Sequence, residues 1–86
     1  MYQVVIEKRV LKDLDCIPVT DVKKTQIQII ALQNDPRPVS CKKLSGSSDF
    51  YRLRQGNYRI VYSIDDQKKM ISIMLVRHRK DVYREM

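Results

Sequence analysis

The sequence predicts an α+β fold in which two N-terminal helices pack on one face of a four-stranded, mainly antiparallel sheet, in the order β-α-α-β-β-β. Apolar residues alternate in residues 2–6, recur at helical spacing through residues 10–34, and alternate again in three segments between residues 49 and 76. A chain of 86 residues can bury one hydrophobic core. Residues 1–86 are therefore expected to form a single domain.

Two helices are expected after the first strand. The first is short, because Pro18 lacks an amide donor and ends it. Thr20 is expected to cap the second, an amphipathic helix over residues 20–34. Their apolar stripes should cover one face of the sheet and leave the other face for a ligand.

The second half of the chain predicts a long loop and a three-stranded meander. Residues 35–48 contain two prolines, one glycine and four serines, which indicates a loop that Leu44 should anchor. Polar turns at residues 55–57 and 65–67 separate the strands. The strands are expected over residues 49–54, 57–64 and 69–76. The last is apolar at both parities, so it is expected to be central.

The charge of the chain indicates a polyanionic partner. Seventeen Lys and Arg residues against ten Asp and Glu residues give a net charge of +7. The excess is concentrated in residues 51–86, which carry nine basic and four acidic side chains, whereas residues 1–50 carry eight and six.

Arginines and tyrosines interleave in the same region, over Tyr51–Arg54, Tyr58–Tyr62 and Arg77–Tyr83. We expect them to present guanidinium groups and aromatic rings on one surface, a combination that suits single-stranded RNA. Tyr58 and Tyr62 are more typical of core or cross-strand packing than of catalysis.

Four segments together resemble the RelE/ParE superfamily of toxins from bacterial type II toxin–antitoxin pairs: Lys43–Gly46, Asp49–Arg54, Gly56–Tyr62 and His78–Tyr83. The resemblance to its RelE branch implies a ribosome-dependent, metal-independent endoribonuclease that cleaves mRNA in the A site. The alternative is a non-enzymatic, ParE-like inhibitor of DNA gyrase, because one fold serves both branches. A third possibility is an inactive or weakly active relative.

The resemblance also implies a set of catalytic residues. By position, these are Arg52, Arg54, Arg59, Arg79 and Tyr83. RelE toxins have lysines where this chain has Arg52 and Arg54, and arginine stays protonated, so these two side chains can serve as donors but not as bases. Arg77 is an alternative for the role given to Arg79. Tyr83 is the leading candidate for proton transfer, and His78 is a second-rank one.

Further basic residues beside the predicted strands are candidate RNA contacts: Lys42, Lys43, Arg77, His78 and Lys80. Cys16 and Cys41 have neither the spacing nor the histidine neighbours of a zinc site, so we expect no metal and no cofactor. No signal peptide or membrane span is predicted, which favours the cytoplasm. The expected partners are the ribosome with its mRNA and an acidic or amphipathic, RelB-like antitoxin.

Overall fold

A computed structural model describes residues 1–44 and 49–78 of the chain. Its elements in chain order are β1 (Gln3–Ile6), α1 (Lys8–Asp15), α2 (Val19–Ala31), β2 (Lys42–Lys43), β3 (Phe50–Gln55), β4 (Tyr58–Asp65) and β5 (Met70–His78). The α+β class and the order of the predicted elements are confirmed.

The strands form one mixed sheet in the order β1-β5-β4-β3-β2. β1 runs parallel to β5, and the other neighbours are antiparallel. The prediction that β5 is central is confirmed, because it lies between β1 and β4. The predicted count of four strands was one too low. Within the expected loop, Lys42 and Lys43 pair with Arg52 and Tyr51 as the short edge strand β2.

The two helices cover one face of the sheet, as predicted. Val10 and Ile17, from α1 and the turn after it, join Ile29 of α2 in a core with buried residues of β3, β4 and β5. The predicted cap of α2 was wrong. The helix begins at Val19, with Pro18 at the N-cap position, so Thr20 lies inside the first turn. Proline suits a helix start, because the amide it lacks would have no intrahelical acceptor.

β5 contains an irregularity that alternation alone does not reveal. Val61 pairs with Leu75, but the next residue, Tyr62, pairs with Ile73, so Met74 is an extra residue on β5. Ile73 therefore faces the helices, whereas Leu75 packs with Val61 on the opposite face. Strict alternation along β5 would place Ile73 and Leu75 on the same face, and the extra residue prevents this.

The turns and the long loop are held by specific contacts. Gly56 has a φ of 60°, a value that glycine adopts without steric cost, in the two-residue connection between β3 and β4. Leu44 packs on the cluster of Val61 and Leu75, which confirms its predicted anchoring role. Arg37 pairs with Asp66 at 2.8 Å between Nη2 and Oδ2, so the loop is tied to the turn before β5.

Within residues 1–44 and 49–78, neither helix has the length and apolar character needed to cross a membrane.

Candidate nucleic-acid interface

Three arginines form a row across the sheet face that the helices leave uncovered. Arg54 of β3 pairs with Arg59 of β4, and Arg59 pairs in turn with Arg77 of β5. Side chains at paired positions point to the same face and lie side by side. We refer to Arg54, Arg59 and Arg77 as the arginine row.

Like charges at paired strand positions repel each other, and this repulsion destabilises the row unless other contacts offset it. The Nε of Arg54 donates to the carbonyl oxygen of Gly56 at 3.2 Å, and the Nε of Arg77 donates to Oδ1 of Asp13 at 2.7 Å. Arg59 lies between them. Its Nη1 is buried and has no hydrogen-bond partner among the residues that the structure describes. A buried cationic donor of this kind is suited to an anionic ligand.

A second row of paired positions extends the cationic surface. Lys42 of β2 pairs with Arg52 of β3, and Arg52 pairs with Val61 of β4. Val61 and Leu75 form a small apolar cluster on this face, against which Leu44 and Met74 pack. We call the sheet face opposite the helices the open face. It combines at least four cationic positions on β2, β3 and β4 with this apolar cluster.

The tyrosines do not share the surface with the arginines, contrary to expectation. Tyr51, Tyr58 and Tyr62 all pack against the core on the helix side. Successive side chains on a strand point to opposite faces of the sheet, so each tyrosine and the residue next to it lie on different faces. The stacking platform predicted from these rings is therefore absent from the open face within the described residues.

Tyr62 is placed for packing in the core and not for catalysis. It is fully buried, its ring stacks on Tyr51 with centroids 5.9 Å apart, and its hydroxyl donates to the carbonyl oxygen of Pro36 at 2.9 Å. Burial and the neighbouring Cys41 thiol raise the pKa of the Tyr62 hydroxyl far above its ordinary value. The prediction that Tyr62 is a packing residue is confirmed, and Tyr58 likewise packs partly buried against the core.

The other predicted site residues divide into three groups. Arg52, Arg54, Arg59, Arg77 and Lys42 come together on the open face. Lys43 and His78 pair with Tyr51 and Tyr58, on the helix side, and the His78 ring meets that of Tyr58 edge-to-face at 5.7 Å. Arg79, Lys80 and Tyr83 lie outside the described residues.

Asp13 was missed by the sequence analysis, although it contacts Arg77. A signal was present in the sequence. Asp13 lies three residues after Val10 and four before Ile17, on the stripe of α1 that faces the sheet. A carboxylate on an apolar stripe is expected to have a cationic or amide partner.

Comparisons with known proteins agree with this architecture. The family described as the ParE toxin of type II toxin-antitoxin system, parDE, matches residues 4–83. RelE1 of Methanocaldococcus jannaschii is 35% identical, with 96% of each chain covered. The mRNA interferase toxin RelE of Escherichia coli is 30% identical over 92% of this chain and 86% of its own.

A solved structure shows the same fold. In the crystal structure of the archaeal RelE-RelB complex from Pyrococcus horikoshii, the matching chain superposes with a TM-score of 0.81 at 32% identity. The match covers 91% of this chain and 94% of the other. The chain therefore belongs to the RelE/ParE superfamily and is a RelE-branch toxin of a type II toxin–antitoxin system.

Proposed function

We propose that this toxin is an endoribonuclease that cleaves mRNA on the ribosome without a metal ion and so inhibits translation. The observation that carries the proposal is the arginine row, at whose centre the buried Nη1 of Arg59 has no hydrogen-bond partner within residues 1–44 and 49–78. Preorganised cationic donors are most effective where negative charge develops in a reaction. The name of the Escherichia coli relative, an mRNA interferase, supports the same activity.

The reaction is phosphodiester cleavage by the neighbouring 2′-hydroxyl. The 2′-oxygen loses its proton and bonds to phosphorus, the bond to the 5′-oxygen breaks, and that oxygen gains a proton. The products are a 2′,3′-cyclic phosphate and a 5′-hydroxyl. Extra negative charge accumulates on the five-coordinate phosphorus, and we assign its stabilisation to Arg52, Arg54 and Arg59.

Proton transfer requires a different side chain, because arginine stays protonated. We assign it to Tyr83, and we retain Arg79 as a further phosphate ligand, as the family resemblance implies. The register of β4 and β5 supports Arg77 as a member of the phosphate site, because Arg77 is paired directly with Arg59. Lys42 lies beside Arg52 and would extend RNA binding along the backbone. Lys43, His78 and Lys80 remain proposed RNA contacts.

We also propose two macromolecular partners. The first is the ribosome carrying mRNA, since the open face offers cations but no acid–base pair among the described residues. The second is a RelB-like antitoxin, because the structural relative from Pyrococcus horikoshii is a RelE-RelB complex. An acidic segment of the antitoxin laid on the open face would block RNA by covering its charge. These partners favour the cytoplasm as the place of action.

A second candidate function is inhibition of DNA gyrase without catalysis. One observation favours it, namely that the matching family carries the ParE name. The arginine row and the RelE names of the relatives favour RNA cleavage.

In-vitro translation of a defined mRNA, followed by mapping of the new 5′ ends, tests the proposal. We expect wild type to cut ribosome-bound mRNA, and Arg59→Ala to cut about 10²- to 10³-fold more slowly. Tyr83→Phe should also be slow, since it keeps the ring and removes the hydroxyl. If wild type leaves mRNA intact and instead inhibits supercoiling by gyrase, the second candidate replaces the first.

A further inference from the structure

Asp13 links α1 to the end of β5 through both oxygens of its carboxylate. Oδ1 accepts from the Nε of Arg77 at 2.7 Å, and Oδ2 accepts from the backbone amide of Val76 at 3.2 Å. The Asp13 side chain is 8% exposed and that of Arg77 is 26% exposed. A nearly buried carboxylate with two partners is a built interaction, unlike an exposed ion pair.

The amide of Val76 needs this acceptor because the neighbouring strand ends too early. β1 pairs with β5 only from Met70 to Ile73. Beyond Ile73 the outer edge of β5 has no strand beside it in the described part of the chain, and Asp13 supplies an acceptor at that edge. An unpaired edge amide is otherwise solvated or open to another strand.

Asp13 also acts on the part of β5 that follows the irregularity at Met74. The pairs after that residue, Val76 with Ile60 and Arg77 with Arg59, depend on the extra residue being kept. A slip of one residue would move the Arg77 side chain to the helix side of the sheet. By binding Val76 and Arg77 together, Asp13 stabilises the register that puts Arg77 beside Arg59.

We propose that Asp13 is a positioning residue for RNA cleavage, acting through Arg77. Its carboxylate holds one of the five N–H donors of Arg77, which orients the guanidinium group and offsets the repulsion between Arg77 and Arg59. The effect on cleavage rests on the proposed function, whereas the orientation of Arg77 does not.

A double-mutant cycle separates this role from simple stabilisation of the fold. Single-turnover cleavage of ribosome-bound mRNA is measured for wild type, Asp13→Asn, Arg77→Ala and the double variant, below the unfolding temperature of each. Asp13→Asn should lower the rate about 10- to 100-fold, as a displaced catalytic group does. In the Arg77→Ala background the same change should alter the rate by less than about 2-fold. An equal loss in both backgrounds would overturn the proposal.

A measurement without catalysis keeps the two proposals distinguishable. Hydrogen exchange of the Arg77 Nε–H, followed by NMR of ¹⁵N-arginine-labelled protein, should be at least about 10-fold slower than in free arginine and should become fast in Asp13→Asn. If wild type cuts no mRNA but this protection is present, the proposed function fails and the positioning of Arg77 stands. An Arg77 Nε–H as fast as that of free arginine in wild type would refute the positioning role even if Asp13→Asn did not fold.

Discussion

Arg59 and Arg77 are direct neighbours across β4 and β5, one residue from the start of β4 and one from the end of β5, on a sheet face that the helices leave uncovered. Arg54 adds a third arginine on the other side of Arg59. Among the described residues, Arg77 is the member of the row with a carboxylate partner at hydrogen-bond distance, and this partner, Asp13, lies on α1. The three arginines repel one another, and the packing of the sheet does not require charges at these positions. Such an arrangement is expected of a binding surface rather than of a purely structural one.

The first prediction is that neutralising Arg59 stabilises the fold while it slows mRNA cleavage about 10²- to 10³-fold. Arg59→Met keeps an apolar stem of similar length but removes the repelled charge and the buried Nη1, which has no partner in the part of the chain that the structure describes. The free energy of unfolding should rise by about 0.5–1 kcal/mol, as measured by chemical denaturation. Arg54→Met is the control, because Arg54 is exposed, and its effect on stability should be smaller. A less stable Arg59→Met protein would show that Arg59 has a structural role.

The second prediction concerns salt. If phosphate contacts supply the binding energy, the affinity for ribosomes carrying mRNA should fall steeply as the KCl concentration rises. Arg52→Ala should lessen the slope of log K against log[KCl] by about 1, since it removes one phosphate contact. Lys23→Ala on α2, an exposed lysine on the helix side, should leave the slope unchanged. A flat salt response in wild type would instead point to a protein target.

The third prediction separates packing from catalysis among the tyrosines. Tyr62→Phe removes the donor to the carbonyl oxygen of Pro36 within the core, so it should lower the free energy of unfolding by about 1–2 kcal/mol. Tyr58→Phe keeps the ring contact with His78 and should change it by less than about 0.5 kcal/mol. Both variants should cut mRNA at the wild-type rate, and a catalytic defect in folded Tyr62→Phe would contradict its assignment to packing.

The fourth prediction is a pH dependence of stability due to Asp66. Hydrogen bonds from Arg37 and Tyr2 lower the pKa of the Asp66 carboxyl. A carboxyl whose pKa is lower in the folded state stabilises the protein above its unfolded pKa, and this stability is lost as the pH falls through the folded pKa. Thermal unfolding should show Asp66→Asn less stable than wild type at pH 7, with a difference that shrinks below about pH 4.

The matched control for that prediction is Arg37→Met. Without the guanidinium group the main cause of the lowered pKa is gone, so Asp66→Asn should have little further effect in this background at any pH. A full effect of Asp66→Asn in Arg37→Met would assign the stabilisation to the Tyr2 hydroxyl instead.

Much of the fold was predictable because the local sequence patterns place apolar residues where the hydrophobic core requires them. The helical stripe of α1, the polar turn at Gly56 and the doubly apolar strand β5 each indicated the element that the structure contains. The short strand β2 was not predictable, because Lys42 and Lys43 show no alternation of apolar residues. They form a strand because they pair with β3. The irregularity at Met74 was hidden for a similar reason, since both faces of β5 are apolar and either parity satisfies alternation.

The sequence predicted a surface rich in arginine, but it did not predict how the side chains on the open face are arranged. The arginines of the open face were named from the family resemblance and from their interleaving with tyrosines, whereas the placement of the tyrosines beside them was wrong because neighbouring residues on a strand point to opposite faces. The pairing of Arg59 with Arg77 depends on the extra residue of β5, and the contact of Asp13 with Arg77 spans 64 positions of the chain. Long-range relationships of this kind leave little trace in local periodicity.

The central position of β5 determines when the toxin can fold during its synthesis. In the described part of the chain β1 pairs only with β5, and Ile71 and Ile73 of β5 are fully buried between the sheet and the helices. A nascent chain that has not yet emerged as far as Met70 therefore has an unpaired first strand and exposed apolar helix stripes. A chain that lacks β5 therefore cannot complete the core, and the arginine row is assembled only once β5, which carries Arg77, has been made.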